Sequence, residues 1–242
     1  MIVLNKSKNN NKTGKTVGVI GGLGPETISK FYLELIFSCR KFNKINYPHI
    51  LINSIPLPFE IEKEAITEGF GCEKILPYLI NTAKNLEKSG ADFLVLPCNS
   101  LHIFIKDISK AVKIPVLSIL EETTKFLKDQ KINKVGIMAT PMTIQNKLYE
   151  KFLEQEKIQQ IIPNELDQTK IGKLIHNLVS NKYDSKDCQL LMKIIKNFTK
   201  DKVKHIILAC TDLQLLMPKI DGIKIYDTMK ILADATVRNI IK

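Results

Sequence analysis

The sequence predicts an α/β protein of two pseudo-symmetric lobes, each a mainly parallel sheet flanked by helices, with an active site in the cleft between them. Two observations carry this. Short apolar runs alternate with helix-length amphipathic stretches, the pattern of parallel βαβ units whose strands are buried on both faces. There is also an internal repeat. VGVIGGLGPETISKFY (Val17–Tyr32) resembles VGIMATPMTIQNKLYEKF (Val135–Phe152), and ADFLVLPCNSLHIF (Ala91–Phe104) resembles VKHIILACTDLQLL (Val203–Leu216). Right-handed crossovers then gather the strand C-termini of a lobe on one edge, where ligand chemistry sits in such folds.

In chain order, the apolar run Val17–Ile20 reads as the first strand. A glycine loop follows, then a helix over Pro25–Cys39 whose proline suits a first helical turn. A strand at His49–Asn53 precedes a helix over Cys72–Ser89, and strands follow at Phe93–Leu96 and Val116–Ser118. The second copy opens with a strand at Val135–Met138 and a proline-led helix over Pro141–Gln155. It continues with a strand at Ile158–Ile162 and helices over Leu166–Ser180 and Lys186–Lys200. Strands at His205–Leu208 and Ile223–Tyr226 and a helix over Thr228–Ile241 complete it. The expected division is a flexible basic tail over residues 1–16, a first lobe over 17–117 with 218–242 returning to it, and a second lobe over 118–217. The boundary between the lobes falls near Pro115–Glu121.

Composition narrows the function. Of 242 residues, 44% are hydrophobic and 25% charged, which is ordinary for a globular chain. The longest run without an acid, lysine or arginine, Ile45–Phe59, carries three prolines and is shorter than the ~20 apolar residues a membrane span needs. The formal charge of +11 includes Lys6, Lys8, Lys12 and Lys15 of the tail; other lysines, such as Lys125, Lys128 and Lys131, scatter along polar helix faces. With 7% aromatic residues and no tryptophan, this is a lysine-rich protein without a nucleic-acid face. The run Ile2–Leu4 is too short for a secretory core of ~7–15 residues, which implies the cytoplasm and reduced thiols. Five cysteines with no CxxC pair argue against a disulfide framework or a zinc site.

In each copy of the repeat a strand runs straight into a cysteine: Leu96-Pro97-Cys98-Asn99-Ser100 and Leu208-Ala209-Cys210-Thr211-Asp212. A cysteine at a strand end and a helix start meets free amides and the positive end of a helix dipole, which favour thiolate. Facing lobes would set Cys98 and Cys210 across a cleft. Two opposed thiols suit two-base chemistry, in which one thiolate takes a proton from carbon while the other thiol donates one to the opposite face, inverting a stereocentre without a cofactor. Cys39 and Cys188, inside helical patterns, and Cys72 read as packing residues. The loop Gly21-Gly22-Leu23-Gly24-Pro25-Glu26-Thr27 lacks the third glycine of a dinucleotide fingerprint, Thr27 standing in its place. Its amides could hold a carboxylate, or the glycines could serve only a tight turn. His102 could orient or protonate Cys98, or cap and pack; the structural reading is favoured. His49, His176 and His205 stand alone, without metal-ligand spacing.

The blocks GVIGGLGPETISKFY, LPCNSLHIF, VGIMATPMTI and ILACTDL resemble the aspartate/glutamate racemase family, closest to its aspartate racemase branch, from about Val17 to the C-terminus. The resemblance implies two α/β lobes, a cleft active site, cofactor-independent racemisation of an amino acid, and a homodimer. It implies Cys98 and Cys210 as the catalytic pair, with Asn99, Ser100 and Thr211 on the substrate α-carboxylate and amino group. Gly22, Leu23, Asn53 and Thr140 complete the candidate substrate-binding set; no metal or cofactor is expected. Aspartate racemases usually carry Ile-Pro-Asp-Arg after the second strand, the arginine reading the distal carboxylate. Here the stretch is Asn53-Ser54-Ile55-Pro56-Leu57-Pro58-Phe59-Glu60, with no arginine. Lys182 lies near the place of an assisting lysine, and Asp212 stands where a glutamate is usual. This points away from aspartate toward an uncharged or differently bound amino acid. Two other readings keep the fold: a single-cysteine isomerase or decarboxylase, and a non-catalytic binder of small carboxylates.

Overall fold

The structure, a computed structural model, describes residues 14–42, 46–58, 60–61, 71–216 and 220–242. Most of the tail expected at 1–16, and Phe59, lie outside them. Two four-stranded, fully parallel sheets share one topology. The first is ordered β2 (Ile50–Ser54), β1 (Val17–Gly21), β3 (Phe93–Val95), β4 (Val116–Leu117). The second is ordered β6 (Gln159–Ile161), β5 (Lys134–Ala139), β7 (His205–Ala209), β8 (Lys224–Asp227). The matching orders are the repeat made visible in space, as the sequence predicts.

One expectation needs correcting. The strand near Ile223–Tyr226 does not return to the first lobe; Lys224–Asp227 pairs with β7 in register His205↔Lys224 to Leu208↔Asp227. It is the second copy's counterpart of β4, so the repeat itself dictates its sheet. The helix after it, α9 (Thr228–Ile240), lies against α1 (Pro25–Phe42) and against α4 (Ile119–Asp129), the helix that follows β4. These helices fill the space between the sheets. One continuous core joins Val17, Val19 and Phe31 of the first copy to Val135, Ile137 and Ile207 of the second through Leu127, Leu232 and Val237. The other face of the first sheet is covered by α2 (Leu76–Lys88) and α3 (Ile105–Ala111). The other face of the second sheet is covered by α7 (Glu165–Val179) and α8 (Ser185–Asn197).

The helix expected over Pro141–Gln155 is broken into α5 (Pro141–Gln145) and α6 (Glu150–Gln155). Lys147 between them takes a left-handed φ of 51°, which no helix continues through. Helix starts are capped as their sequences suggest. Ser118, Thr140, Asn164 and Asp227 each accept a backbone N–H from the first turn, and Asp184 forms a reciprocal box with Asp187. Among the described residues no helix is long and apolar enough to cross a membrane.

Candidate active site

Strand alternation places the two cysteines. On β3, Phe93 and Val95 face the shared core while Leu94, and Leu96 just past the strand, face the other side; on β7, Ile207 and Ala209 face the shared core while Ile206 and Leu208 do not. Two residues further, Cys98 and Cys210 continue that outer register beyond the strand ends, Cys98 half-buried and Cys210 buried. Both line one cavity of about 70 Å³, together with Leu23, Asn99, Ser100, Thr140 and Thr211 of the predicted set. Leu57, Ile75, Leu101, Met142, Ile175 and Val179 supply its apolar wall. An adjoining, roomier cavity of about 430 Å³ shares Gly24, Leu57, Val179 and Asp212 with the first and adds Glu26, Ser54 and Tyr183.

Two predicted residues fall off the cysteine cavity. Gly22 lines only the adjoining one; its φ of +86°, and the 2.4 Å at which an added Cβ would meet the Ile55 amide nitrogen, give it a turn role. Asn53, paired beside Ile20, lines neither cavity. Lys182 is exposed and lines neither, though its neighbours Asn181 and Tyr183 line the outer one. No Lys, Arg or His is among the described residues lining the two cavities; Asp212 and Glu26 are their carboxylates. Among the described residues, no three His, Cys, Asp or Glu side chains gather where they could hold a metal ion, and no two cysteines are joined.

Three sets of hydrogen bonds tie the lobes together around the thiols. Thr27 donates its hydroxyl to Asp212 Oδ1 at 2.6 Å, and the Cys210 thiol points its hydrogen at Asp212 Oδ2 across 3.7 Å. The Ser100 hydroxyl meets Thr140 at 2.7 Å and Thr143 at 3.1 Å. Tyr149 donates to Asn99 Oδ1 at 2.6 Å, and Asn99 Nδ2 donates to Thr228 at 3.0 Å. The first two sets mirror one another. Thr27 and Thr143 each stand two residues after a helix-opening proline, and Asp212 and Ser100 each stand two residues after a cysteine. The copies differ in charge: a carboxylate stands beside Cys210, and only hydroxyls occupy the matching place beside Cys98.

The expectation that strand-end amides favour thiolate fails at Cys210. Burial pushes its thiol well above the ordinary range, and the Asp212 and Cys98 charges push the same way, against the Asp212 and Leu213 amides that pull it down. Desolvation wins because the side chain is enclosed. Asp212 is itself raised by burial, the Thr27 hydrogen bond opposing. His102 takes the structural role. The Ile119 N–H donates to its Nε2 at 3.0 Å, which fixes the proton on Nδ1, and Nδ1–H donates to the Cys98 carbonyl at 2.7 Å. Burial lowers it to about 4, so the ring is a neutral brace between the Cys98 turn and the start of α4.

Sequence reasoning did not single out Thr143, Tyr149 or Thr228, gave Thr27 no place in the site, and named Asp212 only as the stand-in for a usual glutamate beside the second cysteine. The repeat could have found Thr27 and Thr143, whose Pro-x-Thr-Ile contexts match. Tyr149 and Thr228 have no local signal; only the tertiary fold brings them to Asn99.

A family profile described as Asp/Glu/Hydantoin racemase matches residues 20–236. The chain is 31% identical over 226 residues to the broad specificity amino-acid racemase RacX of Bacillus subtilis, covering 91% of this chain and 96% of that protein. It superposes on an aspartate racemase homologue from Pyrococcus horikoshii with a TM-score of 0.77 and 26% identity, over 94% of this chain and 100% of that one. The aspartate racemase of Picrophilus torridus gives a TM-score of 0.77 at 26% identity, over 93% of this chain and 94% of that one.

Proposed function

Because the chain belongs to the Asp/Glu/hydantoin racemase family, and is with it an isomerase acting on amino acids, we propose that it inverts the α-carbon with two opposed thiols, Cys98 and Cys210, and no cofactor. The observation that carries this is the pair itself: equivalent cysteines of the two copies line one small cavity from two strand ends. One thiolate removes the Cα proton, forming S–H, and the C–H electron pair passes to the α-carbon and its carboxylate. The other thiol gives its proton to the opposite face and becomes the thiolate. The two sulfurs therefore exchange protonation state at each turnover. Like charges in one cavity resist double ionisation, and burial disfavours the thiolate of Cys210. Asp212, held by Thr27, accepts the hydrogen of the Cys210 thiol and so orients it.

Ser100, Thr140 and Thr211 offer neutral polar groups for the α-carboxylate and amino group, and Leu23 closes the cavity beside them. The inner cavity takes the reacting end of the substrate and the outer one its side chain. Among the described residues the cavity lining carries no cation, and beside Asp212 a distal carboxylate would meet no opposite charge there. Uncharged amino acids fit best. The B. subtilis relative is named for broad specificity, which accords with a lining that shows no charge reader among the described residues. We place the enzyme in the reducing cytoplasm as a homodimer, the setting its unbridged thiols and its family favour. The test is Cα-hydrogen exchange and inversion in heavy water across an amino-acid panel, for the wild type, Cys98→Ala and Cys210→Ala. Each alanine variant is expected to stay folded, lose inversion, and retain exchange of at most one enantiomer. Near-wild-type inversion by either variant would overturn the two-thiol mechanism.

A further inference from the structure

The hydrogen bonds of Asn99 continue past it. The Tyr149 hydroxyl donates to Asn99 Oδ1 at 2.6 Å, Asn99 Nδ2 donates to Thr228 Oγ1 at 3.0 Å, and the Thr228 hydroxyl donates onward to the Leu208 carbonyl at 2.8 Å. The directions are mutually consistent. Thr228 spends its one proton on Leu208 and must accept from Asn99, which turns the amide nitrogen to Thr228 and leaves the amide oxygen for Tyr149. All three side chains are buried, Tyr149 at 2%, Asn99 at 1% and Thr228 at 0% exposure. Within this chain Asn99 is the residue after Cys98, and Leu208 is the strand residue two before Cys210. Tyr149, which precedes α6, and Thr228, which opens α9, hold it in place.

We propose that Tyr149, Asn99 and Thr228 form a positioning relay that sets the separation of the two catalytic thiols. The proposal rests on the two-thiol reading. Inversion needs both sulfurs in reach of one α-carbon, whereas exchange of the Cα hydrogen with solvent needs only one. A relay that fixes the distance between them therefore controls the partition between exchange and inversion. Loss of a buried hydroxyl leaves an amide atom unpaired, and the turn carrying Cys98 shifts to find another partner. A misplacement of about 1 Å at a reacting group can cost on the order of a hundredfold.

The experiment compares Tyr149→Phe, Thr228→Val and Thr228→Ser with the wild type in heavy water. The probe is whichever neutral L-amino acid of a panel the wild type inverts fastest. We expect kcat for inversion to fall on the order of tenfold or more in Tyr149→Phe and Thr228→Val, with KM nearly constant. Exchange in the recovered L-enantiomer should persist, so the exchange-to-inversion ratio rises. Thr228→Ser, which keeps the hydroxyl, should restore the wild-type ratio. If Tyr149→Phe does not fold, the Val/Ser pair at Thr228 carries the comparison. An unchanged ratio in folded variants overturns the relay, whether activity is kept or both processes fall together. So does a rise in KM with the ratio unchanged, which would leave Asn99 a substrate-binding role alone. Failure of the two-thiol reading is distinguishable, since it shows as inversion surviving in Cys98→Ala.

Discussion

Acid should loosen this protein through one buried ring, and the amount can be worked from the structure. His102 is neutral in the fold, lowered from 6.5 to about 4 by burial and held between the Cys98 carbonyl and the Ile119 amide. In the unfolded chain it returns to the ordinary value and takes up a proton near pH 6.5. Between those two values the unfolded state binds more protons, so unfolding free energy must rise with pH there. The stabilisation is complete above pH 6.5, is lost as the pH falls toward 4, and changes no further below. The limiting size is about 3 kcal/mol, from 1.36 kcal/mol per pH unit over the interval. Asp227, raised to about 6 chiefly by burial, works in the opposite sense: its folded form holds protons more tightly, so it favours the fold as the pH falls. The two must be separated. Urea unfolding of the wild type and of His102→Asn, measured from pH 7.5 to 3.5, does so by difference. Asparagine can keep the donor to the Cys98 carbonyl but does not titrate. The variant should be less stable at pH 7 and should lose less on acidification, the two curves converging by up to about 3 kcal/mol. Parallel curves across the window would refute the account of His102 as a neutral brace.

Two further outcomes follow from the cavity and its loop. Leu57→Arg places a guanidinium where both cavities meet, and should raise kcat/KM for aspartate at least about tenfold over wild type while lowering it for neutral amino acids; steady-state kinetics on both enantiomers checks this, and aspartate being already the best wild-type substrate would sink the reasoning. Gly22→Ala must add a Cβ at positive φ, 2.4 Å from the Ile55 amide nitrogen, and should cost more than about 1 kcal/mol in chemical denaturation; a neutral result would mean that the loop relaxes freely.

The strands and the cysteines were legible in the sequence because burial on both faces writes parallel strands as plain apolar runs, and because the repeat marked the same cysteine twice. The break at Lys147 was not legible, since an amphipathic pattern persists across a single left-handed residue. The sheet assignment of Lys224–Asp227 was misread because a strand's partner is a tertiary fact, although the repeat, followed one strand further, contains the answer. The high pKa of Cys210 was also hidden: strand-end amides can be inferred from sequence, but the degree of enclosure that outweighs them cannot. Asn99 shows the same limit. Its position beside Cys98 was plain, while the partners that occupy its side chain come from residues 149 and 228.

The two copies differ in what stands two residues past each cysteine, a carboxylate at Asp212 and a hydroxyl at Ser100. An unequal site cannot favour one hand of a substrate with a single stereocentre at equilibrium, because mirror-image molecules have the same free energy in water. The Haldane relation then forces kcat/KM for the L- and D-forms to be equal, however different the residues that meet them. All the asymmetry can do is divide that common efficiency differently: a hand held tightly by one side of the site turns over slowly, and its mirror image, held loosely, turns over fast in proportion. On the proposed two-thiol mechanism, the hydroxyl cluster and the carboxylate set which enantiomer saturates the enzyme first.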